Sequence, residues 1–94
     1  MEVMRYHIEF TLTAQEHIRI IRREKPYLKT KINKLLEELA EHPLTGTGKP
    51  EKLSYKLTGL MSRRINLEHR LVYYIDEDNQ CVWIESLLGH YEKL

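Results

Sequence analysis

Five aliphatic residues, Leu28, Ile32, Leu35, Leu36 and Leu39, recur at offsets of 4, 3, 1 and 3, which places them on one face of a helix. Lys29, Lys31 and Lys34 lie on or beside the opposite face. Pro26 suits the start of this helix, and Pro43 with Gly46 closes it. Such a stripe has to be buried against a second layer of structure. With 94 residues the chain makes one domain, 1–94, so that layer must come from the remaining sequence.

The remaining sequence supplies a sheet and one more helix. Met4, Tyr6, Ile8 and Phe10 alternate with Arg5, His7 and Glu9, the period of a strand with one buried face. Thr13-Ala14-Gln15-Glu16 has the form of a capping box, which predicts a helix starting there. Ala14, Ile18 and Ile21 give that helix its own apolar stripe, so the two neighbouring helices are expected to pack as an antiparallel pair. Residues 45–50 contain two Gly and one Pro and read as a loop. Strand-like sequence follows. Residues 60–66 come after a turn at Gly59, and residues 69–75 place Leu71, Tyr73 and Ile75 on one face and Arg70, Val72 and Tyr74 on the other. Asp76-Glu77-Asp78-Asn79 is a polar turn. Residues 80–88 form a last strand, apolar on both sides around Val82-Trp83-Ile84, which predicts a central or covered position. The order β-α-α-β-β-β predicts an α+β fold, an antiparallel sheet of about four strands with both helices on one face. The first strand must then pair with a strand distant in sequence.

Composition narrows the function classes. No apolar run approaches the roughly 18 residues of a membrane span. The N-terminus lacks the long apolar stretch of a signal peptide, and the lone Cys81 can form no internal disulfide, so a reducing cytoplasm is expected. The net charge of +1 conceals an asymmetry. Residues 19–70 carry 13 Lys and Arg against 6 acids, whereas residues 76–94 carry 5 acids and one Lys. A basic middle can attract phosphates, although charged helix faces are also simply solvated. His7, His17 and His42 show no metal spacing with one another or with Cys81, and no cofactor is expected. His42 precedes Pro43 at a helix end, where a cation is mildly favourable.

Three segments carry a family resemblance. They are Gly48-Lys49-Pro50-Glu51-Lys52-Leu53, then Leu57-Thr58-Gly59-Leu60-Met61-Ser62-Arg63-Arg64-Ile65, then Glu68-His69-Arg70-Leu71-Val72-Tyr73. Together with the terminal Gly89-His90-Tyr91, this pattern resembles the YoeB family, a branch of the RelE-like toxins of bacterial type II toxin–antitoxin pairs. The family's fold is the α+β arrangement read above. The resemblance implies a metal-independent endoribonuclease that cuts messenger RNA, chiefly in the ribosomal A site, and so inhibits translation. It implies a cognate YefM-like antitoxin with a segment that folds over the active site, and homodimers occur in the family.

Matched by position, the family's general base falls on Glu51, its phosphate-stabilising arginine on Arg70, its general acid on His90, and its terminal aromatic, which orients or stacks substrate, on Tyr91. Two departures stand out: Leu60-Met61 where the family often carries aromatics, and Glu92-Lys93-Leu94 after the His-Tyr pair. These residue types suit the chemistry. The RNA 2′-OH lies beside the scissile phosphate, so a base must take its proton and an acid must protonate the leaving 5′-oxygen. A cation must also meet the charge growing on the equatorial oxygens. A carboxylate serves as base when its surroundings move its pKa toward neutrality. An imidazole, with an ordinary pKa of about 6.5, serves as acid. A guanidinium offers a fixed fork of donors. Singly, a loop carboxylate, a surface arginine and a terminal His-Tyr pair have plainer structural explanations, and only their joint occurrence carries the assignment.

Lys49, Lys52, Arg63 and Arg64 are candidate phosphate contacts. Successive strand residues face opposite ways, so Arg63 and Arg64 should not share one task, and one of them is expected to be structural. His69 is expected on the buried face and outside the chemistry. Tyr55, Tyr73 and Tyr74 could stack on bases, with core packing the expectation for Tyr73. The alternatives are a non-catalytic toxin of the same fold that blocks DNA gyrase, or an inactive RNA-binding relative. The base–arginine–acid set argues against the first, and in the second the residues after Tyr91 would have spoiled the site.

Overall fold

The computed structural model describes residues 5–43, 51–52 and 59–89, with backbone placement alone for Glu51 and Lys52. The elements run β1 (His7–Phe10), α1 (Leu12–Glu24), a 3-10 turn (Pro26–Leu28), α2 (Lys29–Glu41), β2 (Glu51–Lys52), β3 (Met61–Arg64), β4 (Arg70–Asp76) and β5 (Cys81–Ser86). The strands form one five-stranded sheet in the order β1-β5-β4-β3-β2. β2, β3, β4 and β5 pair antiparallel in turn, but β1 pairs parallel with β5, so the sheet is mixed where the element order predicted an antiparallel one. The reason lies in the connection. Two helices intervene between β1 and the other strands, and a crossover of that length returns the chain in either direction.

The core is the meeting of two apolar patterns. From the helical layer come Ala14, Ile21, Leu28, Ile32, Leu35 and Leu39. From the sheet come Leu71, Tyr73, Val82 and Ile84, followed by Leu87, all fully buried. Ile8 and Phe10 of β1 and Ile18 and Leu36 of the helices pack at its margin. Each large aliphatic side chain fully buried this way contributes about 1.5–3 kcal/mol relative to exposure. A register shift opposite Val72 and Tyr73 pairs Val72 with Ser86 and Tyr73 with Ile84, leaving Glu85 as an extra residue in β5. That bulge reverses the alternation, so Leu87 rather than Ser86 joins the helix-facing core. Before the bulge, Val82 and Ile84 are buried in the core while Trp83 stacks on Tyr74 on the other face, so residues 82–84 read as apolar on both sides.

Helix α1 starts two residues before the capping box predicts. Its N-cap is Thr11, whose hydroxyl accepts from the Ala14 N–H at 3.1 Å and donates to the Glu85 carbonyl at 2.9 Å. A cap that also ties the helix to the bulged strand outcompetes Thr13, which lies inside the helix. Pro26 opens a 3-10 turn and α2 proper begins at Lys29. At the far end of α2 the Arg63 guanidinium donates to the His42 carbonyl at 2.6 Å. The cation favoured at a helix C-terminus is therefore Arg63, reaching in from β3.

Candidate functional site

The β3–β4 hairpin sets the site's arginines. Asn66 Oδ1 accepts the N–H groups of Glu68 and His69 at 2.9 and 2.8 Å, closing an Asx turn. The N–H groups of Ile65 and Asn66 donate to the His69 carbonyl. This turn pairs Arg64 with Arg70 and Ser62 with Val72. Alternation then divides the hairpin cleanly. Arg63, Leu71 and Tyr73 face the helices, and Ser62, Arg64 and Arg70 occupy the other face.

Arg70 is partly buried and held from below. Its Nε donates to Ser62 Oγ at 2.7 Å, and a guanidinium nitrogen lies 3.5 Å from the Ser62 carbonyl. Ser62, itself fully buried, is the register partner of Glu51 in β2. On its other side, the Arg70 N–H donates to the Gly89 carbonyl at 3.0 Å. Thus the backbone of Glu51, the guanidinium of Arg70 and the residue preceding His90 are brought to one end of the sheet, from sequence positions 51, 70 and 89. Lys52 pairs with Met61 in the backbone ladder. Lys49, Tyr55, His90 and Tyr91 lie outside the described residues.

Among the candidate phosphate contacts the two adjacent arginines separate. Arg64 is exposed. Arg63 is completely buried, which removes it from any contact with RNA. Besides its bond to His42, its Nε donates to the Tyr73 hydroxyl at 3.3 Å, and its Nη1 lies 3.8 Å from the Glu38 carboxylate. The Tyr73 hydroxyl donates onward to the Pro43 carbonyl at 3.1 Å. Arg63 thus joins β3, β4 and the end of α2, the structural role that alternation assigned to one of the pair. Tyr73 is in the core, while Tyr74 stacks on Trp83 on the other face with ring centroids 6.4 Å apart. Partial burial, and after it the neighbouring Glu85 and Asp76, raise the Tyr74 hydroxyl above its ordinary pKa.

Two features escaped the sequence. Ser62 stands in the motif but shows its function only once register places it under Arg70. The imidazoles of His17 and His69 both accept backbone N–H groups from residues 87–89, contacts for which the sequence carries no spacing signal.

The sequence and the fold have counterparts among known proteins. Residues 10–91 match the model of the YoeB-like toxin of bacterial type II toxin–antitoxin systems. Toxin YoeB of Synechocystis sp. is 41% identical over 87 residues, covering 92% of this chain and 98% of that protein. A YoeB/ParE toxin from Agrobacterium tumefaciens superposes with a TM-score of 0.85 at 32% identity, covering 90% of this chain and 99% of the other. YoeB from Staphylococcus aureus, 42% identical over 93% of this chain and 99% of its own, superposes with a TM-score of 0.83 as a dimer and 0.79 in a YoeB–YefM complex. By family match, by identity along nearly its whole length and by fold, this chain belongs to the YoeB-like toxins of bacterial type II toxin–antitoxin systems.

Proposed function

We propose that the chain is a metal-independent endoribonuclease that cleaves mRNA in the ribosomal A site and thereby arrests translation. Glu51 takes the proton of the 2′-OH, and the resulting oxygen attacks the adjacent phosphorus. Arg70 meets the charge that grows on the equatorial phosphate oxygens. His90 protonates the departing 5′-oxygen, and Tyr91 orients or stacks the substrate. The products are a 2′,3′-cyclic phosphate and a 5′-hydroxyl. Arg64 contacts the RNA backbone, as do Lys49 and Lys52. The observation that carries this reading is the anchoring of Arg70 on Ser62 at 2.7 Å, with the Glu51 backbone paired to that serine and Gly89 paired to Arg70. A guanidinium fixed in orientation needs little reorganisation when charge develops.

A YefM-like antitoxin is the proposed partner, since the S. aureus relative is seen in a YoeB–YefM complex, and a homodimer is proposed from the S. aureus dimer. No helix among the described residues is long and apolar enough to cross a membrane, in keeping with the proposed work on cytoplasmic ribosomes.

The test is cleavage of mRNA on programmed ribosomes by the purified chain, with end-group analysis of the fragments. Cleavage leaving 2′,3′-cyclic phosphates is expected, with His90→Gln slower by about 10²–10⁴-fold and normally folded. Cleavage of an RNA oligonucleotide in EDTA tests the metal requirement separately. Intact mRNA, or gyrase inhibition in its place, would refute the proposal. An unchanged His90→Gln rate would remove His90 from the acid role.

A further inference from the structure

Three consecutive N–H groups follow the end of β5, where the strand ladder no longer supplies acceptors, and such groups need partners when buried. Two imidazoles provide them. His17, in α1, accepts at Nδ1 from the N–H of Leu87 at 3.0 Å and of Leu88 at 3.3 Å. His69, at the foot of β4, accepts at Nδ1 from the N–H of Gly89 at 2.7 Å. A ring nitrogen that accepts carries no proton, so each ring has its hydrogen on Nε2. For His69 that nitrogen is buried 4.0 Å from the Glu68 carboxylate.

The grip on Gly89 is two-sided. Its N–H goes to the His69 ring while its carbonyl takes the Arg70 N–H at 3.0 Å. Gly89 also sits at φ +80°, a left-handed conformation open to glycine, so the chain turns here in a defined direction. Two adjacent residues, His69 at the foot of β4 and Arg70 at its start, therefore register the peptide that precedes His90, and the second also carries the phosphate-directed guanidinium.

We propose that His69 and His17 are positioning residues for RNA cleavage. They fix residues 87–89, and through them the point and direction from which the chain continues to His90, with His69 setting that point against Arg70. This inference rests on the roles proposed above for His90 and Arg70. A reacting group misplaced by about 1 Å can cost a factor of about 10² in rate, so the effect belongs to kcat rather than KM.

The test compares His69→Leu, which deletes the acceptor, with His69→Asn, whose Oδ1 stands close to the former Nδ1 position. Leucine is expected to lower kcat at least about 10-fold with KM little changed, and asparagine to restore most of it. If His69 acts through His90, the leucine substitution should have no further effect in a His90→Gln background, because groups acting as a unit are not additive. His17→Leu and His17→Asn should follow the same pattern. Amide hydrogen exchange gives a readout independent of activity. Protection at Gly89 should be lost in His69→Leu and kept in His69→Asn, with Val72 and Tyr73 protected in both. If wild type cleaves but His69→Leu matches its kcat, or asparagine rescues nothing in a folded protein, the positioning role is overturned and the proposed function stands. The same holds if His69→Leu slows cleavage equally in the His90→Gln background. If wild type cleaves nothing, the proposed function and the catalytic consequence fall together. Unchanged Gly89 protection in His69→Leu would overturn the clasp itself.

Discussion

Replacing Arg63 with methionine isolates the work of a buried cation that the motif alone would assign to RNA. The substitution deletes a charge-assisted hydrogen bond to the His42 carbonyl at 2.6 Å, a bond type that contributes about 1.5–3 kcal/mol. It also removes the 3.3 Å bond to the Tyr73 hydroxyl, but that hydroxyl keeps its own donation to Pro43, so little is lost there. The Glu38 side chain is 21% exposed and can turn to water once its partner is gone, which discounts the ion pair. Methionine recovers much of the apolar packing of the arginine stem. The net cost is about 2–3 kcal/mol, just under the 3–5 kcal/mol typical of breaking a fully buried pair. For a domain of this size the melting temperature should fall by about 8–24 °C. Urea titration followed by emission of Trp83, the single tryptophan, measures this, with an unchanged slope showing that the transition is of the same kind. Arg64→Met is the control. It should leave the midpoint where it is and weaken RNA cleavage. An Arg63→Met protein with the wild-type midpoint, or one whose loss appears in RNA affinity while stability holds, would show that Arg63 is not a structural cation.

Ser62→Ala should lower kcat about 10-fold, because it deletes the 2.7 Å bond that orients the Arg70 guanidinium and leaves the 3.5 Å contact to the backbone carbonyl; steady-state cleavage decides, and a change confined to KM would contradict it. Thr11→Ala should destabilise by about 1–2 kcal/mol, read from urea midpoints, since one hydroxyl caps α1 and also bonds the Glu85 carbonyl, whereas Thr13→Ala should be close to neutral. His17 is held below the ordinary imidazole range, chiefly by burial and also by His69, with Glu16 opposing. Its unfolded pKa of about 6.5 lies above its folded one, so the unfolded chain binds more protons between the two. The contribution of neutral His17 is therefore complete above about pH 6.5 and is lost as pH falls through the folded pKa. The stability difference between wild type and His17→Asn should shrink over that window, and parallel pH profiles would contradict it.

How far the sequence carried these conclusions depends on the kind of information each required. The helical stripe at 28–39 and the alternation at 69–75 are local periodicities, and both elements formed as read. The direction of β1 and the phase change in β5 are not local. The first depends on a pairing 74 residues away in sequence, between His7 and Cys81, and the second on one bulged residue that alternation cannot reveal. The strand face of Arg70 was legible from the alternation at 69–75. Arg63 and Arg64 were legible as a pair of opposite fates but not as to which was which. That choice is made by the register of β3 against β4, which sends residue 63 inward opposite Leu71. Ser62 and the two histidines act on residues 8 to 71 positions away, contacts that only the assembled sheet creates.

The position of β5 has a kinetic consequence. β1 and β4 never meet; each is joined to the sheet's other half only through a strand that follows every other described element in the chain. During vectorial synthesis β1 can emerge, and α1 and α2 can coil, with no ladder to complete. The hairpin that carries Arg70 can close early, yet the peptide that anchors the chain beyond β5 does not exist until residues 81–89 have been made. Contacts of such sequence separation form late. By this topology the sheet of a YoeB-like toxin stays incomplete on the ribosome until those residues have been made.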